Sequence, residues 1–241
     1  MPKVLLIIPA FNESESILEV IAAIKAYQRR QATTIELDYL VINDGSTDNE
    51  EEILRANGIN HIELIQNLGI GAAVQTGYLY ARKRGYDIAV QFDGDGQHDI
   101  NSLDDLLAPL ISNEADFVVG SRYISDSQSK FKSSVSRRVG SRILSFTVRL
   151  VTGIDVKDIT SGYRACNRKV IQQFAERYPS KFPEPESYVH LAKKNIRVKE
   201  VGANMFERTT GKSSINYWVA VKYMVTVSTS ILLAGTIEKE K

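Results

Sequence analysis

Apolar residues in this chain gather into short, nearly unbroken runs: VLLII (4–8), LDYLVI (37–42), HIELI (61–65), DIAVQF (87–92) and DFVVG (116–120). Between them lie mixed stretches with helical spacing at 14–30, 47–57, 71–84 and 101–112. A strand covered on one face alternates apolar and polar residues, whereas an unbroken run fits a strand buried on both. Strands alternating with helices therefore predict an α/β fold: a mostly parallel sheet with helices on both faces. Ligands of such sheets sit beyond the carboxyl ends of the strands. PAFNE (9–13), NDGSTD (43–48) and DGDGQHD (93–99) all follow strands and are predicted to meet on that rim.

The second half has a different pattern. No acid occurs between Asp126 and Asp155, while Lys130, Lys132, Arg137, Arg138, Arg142 and Arg149 are basic. Val135, Val139, Ile143 and Phe146 recur at helical spacing, so this stretch reads as a basic amphipathic helix suited to an anionic partner or a membrane surface. Near the end, Tyr217 to Ile237 is almost wholly apolar or small, broken mainly by Lys222. It is about long enough to span a bilayer. Its polar stripe of Lys222, Thr226 and Thr229 favours lying in the membrane interface, with burial in the domain or a contact in a homo-oligomer as alternatives. The expected organisation is a catalytic domain over 1–212 and a membrane-associating or oligomerising helical segment over 213–241.

Composition narrows the classes. The 241 residues are 43% hydrophobic and 24% charged, enough to build a sizeable core. Lys plus Arg (30) balance Asp plus Glu (29), so overall charge gives no support to nucleic acid as a partner. One cysteine, Cys166, forms no internal disulfide and suits a reducing cytoplasm. The opening apolar stretch is too short for a signal peptide, so the expected location is cytoplasmic, peripheral at the inner face of a membrane.

Asp93 and Asp95 stand two residues apart on an extended segment, on one side, where like charges repel unless a cation lies between them. A hard ion, magnesium or manganese, accepts carboxylate oxygens and keeps positions open for phosphate. Gly94 and Gly96 let a ligand approach the backbone, yet Asp and Gly are also ordinary turn residues. Asp44 ends a strand and is available to a ligand, while Asp48 or Thr47 caps the next helix. Ser14 is the expected cap after PAFNE. The glycines of QNLGIGAAVQTGY (66–78) suit either a phosphate cradle or close packing, with packing favoured. His98 follows the acid pair, but with no ligand spacing to His61 or His190 it stays outside the metal set.

In their order, IIPAFNE, VINDGSTD, NLGIGAAVQTGY, FDGDGQHD, VVGSRY, DITSGYRA and ERTTGKSSI resemble the family 2 glycosyltransferases, over residues 3 to 215. The resemblance implies the glycosyltransferase A fold. It also implies that Pro9, Ala10, Asn12, Glu13 and Asp44 hold base and ribose, and that Asp93, Gly94, Asp95 and Gln97 meet the diphosphate through the metal. The second half is similar to the branch that loads a sugar onto dolichyl or another polyprenyl phosphate. FPEPE (182–186) departs from that branch, as does the lack of a long multi-span tail.

A sugar hydroxyl needs a general base, whereas a lipid phosphate is already anionic and needs positioning and charge offset. Arg122, Arg137, Arg138 and Arg164 are candidates for that offset, with Arg208 and Lys212 in a basic loop over the diphosphate. Asp158 is a sugar contact, a base or a turn cap. Glu186 ranks above Glu184, which reads as a solvated helix start. The expected activity is metal-dependent, inverting transfer from a UDP- or GDP-sugar to undecaprenyl or dolichyl phosphate. Transfer to a hydroxyl of a glycan or lipid-linked saccharide, with Asp158 or Glu186 as base, and a non-catalytic nucleotide-sugar-binding subunit are the alternatives. A nucleotidyltransferase would carry a glycine- and lysine-rich loop near the start, and there is none.

Overall fold

The computed structural model describes residues 1–31, 34–124, 135–179, 182–206 and 226–229. Among these, seven strands form one sheet: β1 (Lys3–Ala10), β2 (Glu36–Asn43), β3 (His61–Glu63), β4 (Ile88–Gln91), β5 (Phe117–Ser121), β6 (Arg164–Asn167) and β7 (Val198–Gly202), in the order β3-β2-β1-β4-β6-β5-β7. β6 runs antiparallel to its neighbours β4 and β5, while the other pairs are parallel.

The apolar runs behave as their pattern requires. Val4, Leu6 and Ile8 of β1 enter one core with α1 (Ile17–Gln31), α2 (Glu50–Ala56) and α4 (Leu103–Ile111). Leu5 and Ile7 enter the other with α3 (Ile70–Arg84), α5 (Val135–Thr152), α6 (Arg168–Glu176) and α7 (Pro183–Lys193). Each such buried side chain contributes about 1.5–3 kcal/mol through water removed from it. Gly77 explains part of the NLGIGAAVQTGY motif: a Cβ there would lie 2.2 Å from Ile7 Cγ2, so only glycine lets α3 settle this closely on β1.

Two expectations change. α1 begins at Ile17 and not near 14, with Ser16 N–H bonded to Glu13 O, so Ser14 is not its cap. β6 and β7 were hidden in the pattern because RACN carries an arginine and VKEVG alternates along a half-exposed edge. In α5 the inward residues are Leu144 and Val148, while Ile143 and Phe146, two of the apolar positions picked out by the helical spacing, point outward. The 212/213 boundary and most of the C-terminal segment lie outside the described residues. Of that segment, 226–229 form a helical turn whose Val227 is buried in the α3, α5, α6 and α7 core.

Candidate active site

Beyond the carboxyl ends of β1, β2 and β4 opens a cavity of about 310 Å³. Its walls come from Pro9, Ala10, Phe11 and Glu13 after β1, Asp44 after β2, Asn67 to Ala73 at the start of α3, and Asp93, Gly94 and Asp95 after β4. The three motifs thus meet where the strand pattern put them.

Each loop is fixed largely by its own backbone. The exposed Asn12, at φ 57°, accepts from Thr47 N–H (2.8 Å) and Asp48 N–H (3.2 Å) through Oδ1, tying PAFNE to NDGSTD. Glu50 is buried and accepts from Glu13 N–H (2.8 Å) and Ser46 Oγ (3.0 Å); burial raises its pKa against those bonds. The N-cap of α2 is Asn49 and not Thr47 or Asp48, although Asp48, one residue earlier, accepts from Glu50 N–H at the first residue of the helix. Gly45 has φ +67°, and a Cβ on it would meet Gln66 C at 2.6 Å, so this turn admits glycine alone.

Asp44 is not available in the way the sequence suggested. Its two oxygens accept from Leu68 N–H and Gly69 N–H, both at 2.8 Å, and its side chain is almost fully buried. The same bonds occupy two amides leading into α3, which argues against a phosphate cradle built on them. Asp44 holds the loop that forms one wall of the cavity.

Around the acid pair, Asp95 Oδ1 accepts from Gln97 N–H at 3.0 Å, and Gln97 Nε2 reaches Phe206 O at 3.5 Å. Asp93 N–H donates to His98 Nδ1 at 3.1 Å. That bond leaves the proton of a neutral ring on Nε2, 3.6 Å from Asp93 Oδ2. Burial lowers the His98 pKa to about 4, keeping the ring neutral, and it stacks on Tyr163 at 4.7 Å between ring centres. His98 therefore orients Asp93 from behind. Gly162 of DITSGYRA touches the same carboxylate: a Cβ there would stand 2.6 Å from Asp93 Oδ2.

Asp158 and Arg122 form one unit. Asp158 is wholly buried and accepts from Arg122 Nε (2.8 Å), Nη2 (2.7 Å) and backbone N–H (3.0 Å), while Glu200 accepts from Asp158 N–H. This fork sits close enough to Asp93 and His98 to feel their charge. With its oxygens taken by the guanidinium and the backbone N–H of Arg122, the Asp158 carboxylate is committed to that arginine, which argues against a role as general base. It also means Arg122 is a fixed member of a pair whose charges offset each other, and not an independent cation.

Arg164 is a plain correction. It is 1% exposed, and its guanidinium donates to the carbonyls of Ser161, Ile159 and Glu184 and to Ser187 Oγ, at 2.6 to 3.0 Å. It braces the loop before β6 against α7 and meets no acceptor phosphate. Arg137 and Arg138 lie on α5, but their side chains fall outside the described set, as do Arg208 and Lys212 entirely.

Glu184 is not the solvated helix start that the sequence suggested. Burial pushes the Glu184 carboxyl up, against the pull of Arg164 and a hydrogen bond from Gln91, with the nearby charge of Asp93 adding to the rise. Gln91 Nε2 also lies 3.4 Å from Asp93 Oδ1, so Glu184, Gln91 and Asp93 form a chain leading out of the core. Glu186 is half-buried one residue pair further along α7. The polar Gln91 inside an otherwise apolar strand run was the one available signal.

Two carboxylates lining one cavity and offering oxygen alone fit a hard divalent ion. Among the described residues no group of three or more His, Cys, Asp or Glu gathers.

A parallel sheet interrupted by one antiparallel strand, with an acid-lined cavity beyond β1, β2 and β4, defines an α/β enzyme of the glycosyltransferase A type. Its fold matches glucosyl-3-phosphoglycerate synthase from Mycobacterium tuberculosis, solved with Mn2+, UDP-glucose and phosphoglyceric acid. The TM-score is 0.69 at 16% identity, covering 97% of this chain and 79% of that one. The Glycosyl transferase family 2 profile matches residues 5–174, and the chain belongs to that family of glycosyltransferases. It is 31% identical over 215 residues to a UDP-N-acetylglucosamine–dolichyl-phosphate N-acetylglucosaminyltransferase of Methanococcus voltae, covering 81% of this chain and 82% of that one. It is 27% identical over 234 residues to an undecaprenyl-phosphate mannosyltransferase of Micrococcus luteus, covering 94% and 93%.

Proposed function

We propose that this glycosyltransferase moves a sugar from a nucleoside-diphosphate sugar to a polyprenyl phosphate at a membrane surface, with inversion at the anomeric carbon. The observation that carries the choice of acceptor is the Arg122–Asp158 fork beside Asp93. One of the two carboxylates a hydroxyl acceptor would have used as base, Asp158, is committed to an arginine, whereas a lipid phosphate needs no base. The names of the relatives point the same way.

The donor lies in the β1–β2–β4 cavity, its nucleoside against Pro9, Ala10 and the wall that Asp44 holds, and its diphosphate toward Asp93 and Asp95. Those two residues, with Gln97 beside them, hold magnesium or manganese, which when bound supplies charge compensation to the departing diphosphate. His98 and Gly162 keep the Asp93 carboxylate aimed at the cavity. Arg122, locked by Asp158 beside Asp93, offsets charge where the acceptor phosphate approaches, and the exposed Arg142 and Arg149 of α5 raise the local concentration of anionic acceptor. Attack by a phosphate oxygen on the face opposite the diphosphate forms the new glycosyl bond as the old one breaks. The acting domain covers 1–212.

The test is release of nucleoside diphosphate from a panel of UDP- and GDP-sugars with magnesium or manganese, with and without short-chain polyprenyl phosphate. Release that requires the lipid phosphate and stops with chelator supports the proposal. Release that ignores the lipid but follows a glycan acceptor overturns it.

A further inference from the structure

α5 has a second apolar face that is exposed and not part of either core among the described residues. Leu144 and Val148 are buried, while Ile143 (48% exposed), Phe146 (66%) and Leu150 (71%) point outward. At 3.6 residues per turn these three fall with Arg142 and Arg149 on one arc of roughly 120°, the arginines along one border. Both arginines are exposed, Arg149 with a solvated ion pair to Asp155 at 3.6 Å, the kind that contributes little and yields readily. The helix contains no acid at all. Three large exposed apolar side chains in one patch exceed what scattered surface residues require.

The position of the helix matters as much as its face. Ser141 Oγ and Ser145 Oγ both donate to Lys157 O, at 3.2 and 3.1 Å, which fixes α5 to the residue preceding Asp158. The outward face is thus rigidly coupled to the Arg122–Asp158 fork.

We propose that this face of α5 docks on an anionic lipid bilayer, Ile143, Phe146 and Leu150 entering the headgroup and acyl boundary while Arg142 and Arg149 meet lipid phosphates. Charge complementarity selects the bilayer over a second copy, because a self-contact would bring two acid-free, arginine-bordered faces together. The inference rests on the reading of the acceptor as lipid-linked and adds the surface that brings the rim to it.

The test labels Phe146→Cys with an environment-sensitive dye. Native Cys166 is fully buried, with burial pushing its thiol up to about 12, so the label goes to the introduced position. Ile111→Cys, exposed at the end of α4 on the opposite layer, is the control. With phosphatidylcholine–phosphatidylglycerol vesicles the dye at 146 is expected to shift to the blue and the control to stay unchanged. Phe146→Ser and Leu150→Ser are each expected to weaken vesicle co-sedimentation roughly tenfold or more. Neither readout needs donor or acceptor, so a failure of the transfer reading is seen separately. A dye that ignores vesicles while transfer proceeds overturns the docking face. So does a shift that appears with protein concentration alone, which assigns the face to a second copy.

Discussion

The donor side and the acceptor side of the rim are built by different means. Around the donor cavity, side-chain oxygens are mostly satisfied by the backbone amides of neighbouring loops: Asn12 by residues 47 and 48, Asp44 by 68 and 69, Asp95 by 97. Beside Asp93, the charged side chain of Arg122 meets that of Asp158, and the same device, Arg197 with Asp116, recurs at the opposite end of the sheet before β7 and β5. The first construction makes rigid loops from turn chemistry. The second stakes the local structure on ion pairs, in which loss of one partner strands the other inside the protein.

The largest expected effect follows from that contrast. Asp158→Ala leaves a mostly buried guanidinium without its carboxylate and is expected to cost about 3–5 kcal/mol in urea unfolding. Arg122→Met with Asp158→Leu is expected to recover most of that stability while transfer stays lost. Equal destabilisation in single and double variants would contradict the pairing.

Asp93→Asn separates chemistry from stability. Turnover is expected to fall roughly 100- to 1000-fold. Unfolding free energy is expected to move by less than about 1 kcal/mol, because Asp93 borders the cavity and its backbone bond to His98 remains. A similar loss of stability and activity would instead make it a structural acid.

On the donor side, Asp44→Ala deprives the amides of Leu68 and Gly69 of their acceptor. An expected loss of about 1–3 kcal/mol accompanies a raised KM for the nucleotide sugar, with turnover at saturation nearly kept. Unchanged donor affinity would break the link between this loop and the nucleoside.

The smallest effect is a pH slope. Hydrogen bonds from Arg197 hold the Asp116 carboxyl well below the usual carboxylate range, against its partial burial. Its folded pKa is thus below its unfolded one near 3.9, so this stabilisation is complete above about pH 4 and fades as pH falls through the acid range. Denaturation midpoints of wild type and Asp116→Asn are expected to converge as acid is added. Parallel curves would show that the clamp does not titrate.

The same contrast explains what the sequence revealed. The five apolar runs, the helices between them and the cavity-lining motifs were legible because they depend on local periodicity and turn chemistry, as in DGDG and NDGSTD. Arg164 was misjudged because its donors are absorbed by the backbone carbonyls of 159, 161 and 184, and a carbonyl has no side-chain signature in the sequence. Asp158 looked like a base because its partner lies 36 residues away. Glu184 was ranked below Glu186 because only the folded chain brings it toward Gln91 and Asp93. Long-range pairing leaves no period to read.

The most direct test of the central claim compares sugar transfer to a polyprenyl phosphate and to the matching polyprenol, under the same donor and metal. Transfer to the phosphate alone is predicted, since the rim offers a held arginine and its buried Asp158 is committed to it. Comparable transfer to the alcohol would contradict the account and require a general base that the Arg122–Asp158 fork does not supply.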